Sequence, residues 1–204
     1  MEIVQIPIRR PMRKRRTRNP EESRKAIVAA AAKQFNTVGY LETDSNRIAR
    51  AAGYAPGTFY THFADKRAVF LEVYYDWVRA ESSMIRSVLA LDLSPKSKRH
   101  RLVTEIIEHH RQWKTFRASL RALCATDEQA RLARLREREK QVNIMEEWTR
   151  RDGTRKPNRA EIWYAMLSFE AVCDSIADGD LKAMKIRDSD ILAPLEAMLQ
   201  LLTK

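Results

Sequence analysis

Between Thr43 and Lys66 the chain reads TDSNRIARAAGYAPGTFYTHFADK, and its polar residue types suit hydrogen bonding to phosphates and base edges better than bond-making chemistry. Hydroxyls (Thr58, Tyr60, Thr61), an imidazole (His62) and an ammonium (Lys66) follow small or rigid Ala55, Pro56 and Gly57, with the hydroxyl of Thr43 further upstream. A search for catalytic constellations elsewhere finds no phosphate-cradling glycine loop, no nucleophile elbow and no Cys-x-x-Cys. Glu105 and His109, spaced i,i+4, could share a ligand on one helix face, but a metal site needs further donors that the sequence does not place. The expectation is a protein without enzymatic activity and without a metal or other cofactor.

The elements that must carry these residues are helices. Asp44 is an N-cap type ahead of an apolar face made by Ile48, Ala49 and Ala52. Gly53 stands where a chain leaving a helix needs positive φ, and Pro56 suits the first turn of the next helix. Phe59 and Phe63 at i and i+4 bury one face of that second helix and leave Gly57, Thr58, Tyr60 and Thr61 on the other. Helix, glycine turn and helix with a polar outer face is the helix-turn-helix design, whose second helix enters the DNA major groove.

The run GYAPGTFYTHFADK resembles the DNA-binding signature of the tetracycline-repressor (TetR-like) family, matching it at Gly53, Gly57, Tyr60, Phe63 and Lys66. The resemblance extends upstream through Ile27, Ala30, Ala31, Phe35, Gly39, Tyr40, Thr43, Ile48 and Ala49, covering residues 24–70. Ser45 replaces the family's usual aliphatic residue, and Ala55 its usual capping Ser. The resemblance implies that Tyr60 and Lys66 contact phosphates while Pro56, Gly57, Thr58 and Thr61 face bases, with Thr43, Tyr54, Ala55 and His62 on the same DNA-binding surface.

Charge agrees with a nucleic-acid partner. The net charge is +11, and residues 1–67 hold 14 Lys/Arg against 6 Asp/Glu. Concentrated basicity beside a groove-reading motif is the electrostatic footprint of a DNA binder. Residues 1–19 lack periodicity and contain seven basic side chains, Arg13, Arg15 and Arg16 among them. They read as an arm, solvated in the free chain, that follows the backbone or enters the minor groove of DNA.

The chain can bury a full core at 204 residues, and its two cysteines, Cys124 and Cys173, sit in apolar helical patterns as small core side chains. The expected setting is the bacterial cytoplasm, associated with the nucleoid and not with a membrane, because no apolar run approaches the ~18 residues of a span. The fold class is all-α, with about nine helices. They group as a basic arm (1–19), a three-helix DNA-binding head (20–70) and a helical effector-binding and dimerisation domain (71–204). Periodicity places one helix from Pro95 to about Ala118, a short one from Leu120 to Cys124, and Pro194 in the first turn of the last helix.

The TetR resemblance further implies a small-molecule pocket in the second domain. Trp113, Phe116, Leu120, Met145, Trp148, Tyr164, Phe169 and Cys173 are its candidate lining, suited to a largely apolar or aromatic effector. It also implies a homodimer, closed by the last two long helices through Ile162, Met166, Phe169, Ile176, Leu195, Met198 and Leu202, that reads a palindromic operator on double-stranded DNA. The implied activity is that of a repressor released from its operator by the effector. The rival reading is an architectural DNA-binding protein whose second half only dimerises.

Overall fold

A computed structural model describes residues 19–152 and 155–202. The described residues form ten helices and no strand. In chain order they are α1 (Pro20–Thr37), α2 (Ser45–Ala51), α3 (Pro56–Tyr60), α4 (Lys66–Leu89) and α5 (Pro95–Gln112). There follow α6 (Lys114–Thr126), α7 (Glu128–Asp152), α8 (Arg159–Asp178), α9 (Asp180–Ala183) and α10 (Asp188–Leu201). None of the helices is long and apolar enough to cross a membrane.

Local chemistry sets most of the boundaries. The Asn19 side chain caps α1 by accepting from the Glu21 N–H, and Asp44 and Asp65 cap α2 and α4 in the same way. A reciprocal capping box of Asn158 and Glu161 starts α8, and Gly179 at φ +91° stops it.

Two boundaries differ from the sequence expectation. The chain from Pro95 breaks at Trp113, not near Ala118, and α6 then runs unbroken to Thr126. The cause lies 76 residues away: Asn36 of α1 donates from Nδ2 to the Gln112 carbonyl at 2.6 Å and accepts from the Phe116 N–H at 3.3 Å. One side chain thus serves backbone groups on both sides of the break. Pro194 lies in the second turn of α10, not the first, because the helix already starts at Asp188. Its missing N–H leaves the Asp190 carbonyl without its helical partner, at an exposed position that water reaches.

The largest core joins α1, α2, α3, α4 and α6. Ile27, Ala31, Phe35, Ile48, Phe59 and Phe70 are fully buried together with Phe116 of α6. Phe70 stacks on Phe116 at 4.7 Å and meets Phe35 edge-on at 5.0 Å, so apolar packing runs without a gap from the helix-turn-helix into α6. Two smaller cores hold the second half. One contains Val103, Ile107, Phe169, Cys173 and Leu195, and the other Val142, Ile162 and Leu202.

Candidate nucleic-acid interface and effector cavity

The helix-turn-helix forms as its residues require. Gly53 takes φ +80° between α2 and α3, and Pro56 opens α3, whose N-cap Ala55 makes no side-chain capping bond. Phe59 is fully buried, whereas Tyr60 is 57% exposed and Ala55, Gly57 and Thr61 are also exposed. A Cβ built on Gly57 would meet nothing within 4 Å, so nothing inside the protein requires a glycine there. The outer side of α3 is therefore small, polar and open. Tyr54, Pro56, Thr58 and His62 flank it half-buried.

Other expected contacts are placed differently. Thr43 is 2% exposed and donates its hydroxyl to the Gly39 carbonyl at 2.7 Å, so its side chain closes a loop of the head and does not belong to the outer surface. The Lys66 ammonium donates to the Tyr40 and Thr43 carbonyls at 2.8 Å each and sits 4.1 Å from the centre of the Tyr40 ring. Two of its three N–H donors thus hold the loop between α1 and α2. Burial lowers its pKa, with Asp44 and Glu42 acting in the opposite direction. His62 bonds Ser23 through Nε2 at 2.7 Å, tying the end of the motif to the first turn of α1. Arg13, Arg15 and Arg16 lie outside the described residues. The sequence reading passed over Arg47 and Arg50, which α2 exposes on the side away from buried Ile48 and Ala49. Their offset from that apolar pair is the signal that marks them.

Behind the head, α4, α5, α6, α7, α8 and α10 line a partly open cavity of about 140 Å³. Three of the expected lining residues are there: Leu120, Met145 and Phe169. The other five are elsewhere. Trp113 and Phe116 pack in the head's core, Cys173 lies in the core between α5 and α8, and Tyr164 is 71% exposed. Trp148 also lies outside the lining. An aromatic residue on an amphipathic helix is readily assigned to the interior, but Tyr164 sits on the outer side of α8.

The polar wall of this cavity was missed entirely. Glu170 of α8 accepts from Arg117 at 2.8 Å, from Arg134 at 2.6 Å and from Arg138. Arg117 also bonds Asp174 through Nε at 2.5 Å and Nη2 at 3.0 Å, and its guanidinium lies 4.8 Å from the centre of the Trp77 ring. His110 stands between Asp174 at 3.0 Å and Glu81 at 3.7 Å. Burial pushes the Glu170 carboxyl upward, yet Arg117, Arg134 and Arg138 outweigh it and hold the pKa at about 2. Asp174 is likewise held well below the carboxylate range against burial, by His110 and Arg117. Burial drives the Cys173 thiol far upward, which leaves it an unreactive core side chain. Glu105 pairs with Arg101 while His109 stacks on Trp77, so this i,i+4 pair does not face one site.

The expected dimer stripe is also an inner one. Ile162, Phe169, Ile176, Leu195 and Leu202 are each at most 7% exposed within a single chain, and half-buried Met166 and Met198 pack against the same cores. The side chains of Ile162, Phe169, Ile176, Leu195 and Leu202 are thus packed inside one chain. The outer side of α8 and α10 presents Tyr164, Ala171, Ala197 and Leu201 instead.

Comparison with known proteins bears on this geometry. A model of bacterial regulatory proteins of the tetR family matches residues 27–73, the span from α1 through the first part of α4. Residues 27–73 thus form a head of the tetR type. YdgC of Bacillus subtilis (strain 168), an uncharacterized HTH-type transcriptional regulator, is 32% identical over 89 residues, 42% of this chain and 46% of its own. AcrR of Shigella flexneri, an HTH-type transcriptional regulator, is 30% identical over 118 residues, 48% of this chain and 54% of its own. The chain thus spans about half the length of the curated relatives it matches. Likeness of fold extends further. The fatty acid degradation regulator FadR from Bacillus halodurans superposes with a TM-score of 0.69 at 18% identity, over 90% of this chain and 96% of its own. A tetR-family regulator from Rhodococcus sp. gives 0.70 at 17% identity, over 90% and 100%. The tetR-family head therefore sits on a body whose fold these regulators share.

Proposed function

We propose that the protein is a DNA-binding transcriptional regulator, acting as a repressor that a small, largely apolar or aromatic effector releases from its operator. The observation that carries this reading is one helix with two duties. α4 begins at Lys66, which holds the loop beneath the helix-turn-helix, and it lines the cavity with Tyr74, Trp77, Glu81, Ser82 and Ile85. An occupant that moves the cavity end of α4 moves its head end as well, because an intact helix transmits displacement along its axis. α6 makes a second joint: it lines the cavity with Arg117 and Leu120 and packs Phe116 into the head's core, while Ser119 accepts from the Tyr40 N–H at 3.0 Å.

In this reading Tyr54, Ala55, Pro56, Gly57, Thr58, Tyr60 and Thr61 meet the major groove, with Arg47 and Arg50 on neighbouring phosphates. Lys66 is a positioning residue that keeps α2 and α3 at the angle the groove requires. Two heads act together through a homodimer closed by the outer side of α8 and α10, which presents Tyr164, Ala171, Ala197 and Leu201. In this reading the cavity is a sensing site, with Glu170 ionised against the arginines of its wall. A regulator of this kind works beside the bacterial nucleoid.

The test is selection of duplexes from a randomised pool by the purified protein, followed by binding measurements with and without small aromatic and aliphatic compounds. Enrichment of a two-fold symmetric sequence and its release by a compound are expected. Equal binding to random and selected DNA, unaffected by any compound, would make the protein an architectural DNA binder instead.

A further inference from the structure

The polar wall of the cavity has more hydrogen-bond donors than acceptors. Arg134 and Arg138 bring about ten N–H donors between them and no acceptor. Each gives one Nη2 bond to Glu170, a carboxylate that Arg117 also uses; Arg134 in addition hydrogen-bonds the Cys124 thiol, and the Arg138 guanidinium lies 5.8 Å from the centre of the Trp163 ring. The side chains of Arg134 and Arg138 are 14% and 17% exposed, and both line the cavity. The other carboxylates nearby are engaged. Asp174 holds Arg117, Arg121 and His110, and Glu81 accepts from Gln141 at 3.0 Å beside His110. Most of the remaining lining is apolar and includes Ile85, Ile106 and Leu199, with Ile144 and Met145 further along α7. A site with surplus guanidinium donors on one wall and hydrocarbon over most of the rest selects an occupant with an anionic, acceptor-only head and an apolar body.

We infer that the effector is a small monocarboxylic acid, its carboxylate bridging Arg134 and Arg138 beside Glu170 and its hydrocarbon part lying against Ile85, Ile144 and Met145. Arginine favours this head because two parallel N–H donors match two carboxylate oxygens. A single negative charge fits best, because Glu81 and Glu170 already stand on the same wall and oppose a second one. Size follows from the volume. A dry apolar cavity of about 150 Å³ accommodates benzene, so a space of about 140 Å³ admits a body of roughly one ring or a short chain, as in phenylacetate or hexanoate.

This inference rests on reading the cavity as the effector site, and direct binding separates the two. The full-length protein is titrated calorimetrically with benzoate, phenylacetate and hexanoate, and with phenylacetamide, which keeps the ring and lacks the charge. Phenylacetate is expected to bind at least tenfold more tightly than phenylacetamide. Arg134→Gln and Arg138→Gln should each weaken phenylacetate at least tenfold and leave phenylacetamide within about twofold. Arg138→Lys, which retains the charge, guards against a variant that fails to fold, and should keep part of the preference. Equal affinity for acid and amide, unchanged phenylacetate binding in both glutamine variants, or no binding by any of the three acids would overturn the assignment. Release of DNA by an uncharged aromatic compound alone would overturn it too, yet leave the regulator reading intact. Carboxylate binding that never alters DNA affinity would support the site and count against the regulator.

Discussion

Replacing Lys66 with methionine keeps the length of the stem and removes the ammonium that holds the Tyr40 and Thr43 carbonyls. Two hydrogen bonds from a charged donor are lost, each contributing about 1.5–3 kcal/mol. The contact with the Tyr40 ring adds about 0.5–1 kcal/mol. Relief of the ammonium's burial, the cause of its lowered pKa, offsets part of this. The net loss should be about 2–4 kcal/mol, and at roughly 2–4 °C per kcal/mol for a chain of this size the melting temperature should fall by about 4–16 °C. The affinity for DNA should fall with the stability of the head, while the dependence of log affinity on log salt keeps its slope, because no phosphate contact is removed. Calorimetric melting and fluorescence titrations between 50 and 200 mM salt, about the range over which such slopes are read, measure both quantities. An unchanged melting temperature together with a slope reduced by about one unit would show that Lys66 serves the DNA backbone, and the joint described here would be refuted.

Gly57→Ala should stabilise the fold by about 0.5–1 kcal/mol, since an added Cβ meets nothing within 4 Å. It should still weaken operator binding; equal or tighter binding would show that the backbone of α3 does not approach DNA. Asn36→Leu removes both bonds across the break at Trp113 and should cost about 1–3 kcal/mol, read from urea unfolding. Glu170 has its pKa lowered from 4.5 to about 2, so its contribution is present above pH about 4.5 and is lost as pH falls through about 2. The loss should reach about 3 kcal/mol, and Glu170→Gln should flatten the acid limb of stability; parallel limbs for the two proteins would contradict the arginine cluster. Tyr164→Glu places a charge on the outer side of α8 and should give monomers by sedimentation, whereas a wild-type monomer at micromolar concentration would remove the proposed interface.

Local signals in the sequence were enough to determine the head. Gly53 and Pro56 punctuate the chain, Asp44 and Asp65 cap helices, and the Ile27/Ala31/Phe35 and Phe59/Phe63 stripes set which faces turn inward. Each effect acts within one or two turns of helix, so the residues that specify it are neighbours in the chain. The same logic found the inner stripe of α8 at Ile162, Phe169 and Ile176, but amphipathicity says only that a face is buried, not whether its partner is the same chain or a second one. Only the packing of α8 against α5, α7 and α10 decided that, and it moved the candidate interface to the opposite side. The break at Trp113 was equally invisible, because the side chain that stabilises it belongs to α1. The cavity's charged wall shows the limit most plainly. Arg134 and Arg138 sit in a run, RLREREK, that reads as a solvated helix face, and Arg117 and Glu170 lie on two further helices. Their charges become a site only where α6, α7 and α8 converge, since the attraction that holds three guanidiniums on one carboxylate depends on distance in space and not on separation along the chain.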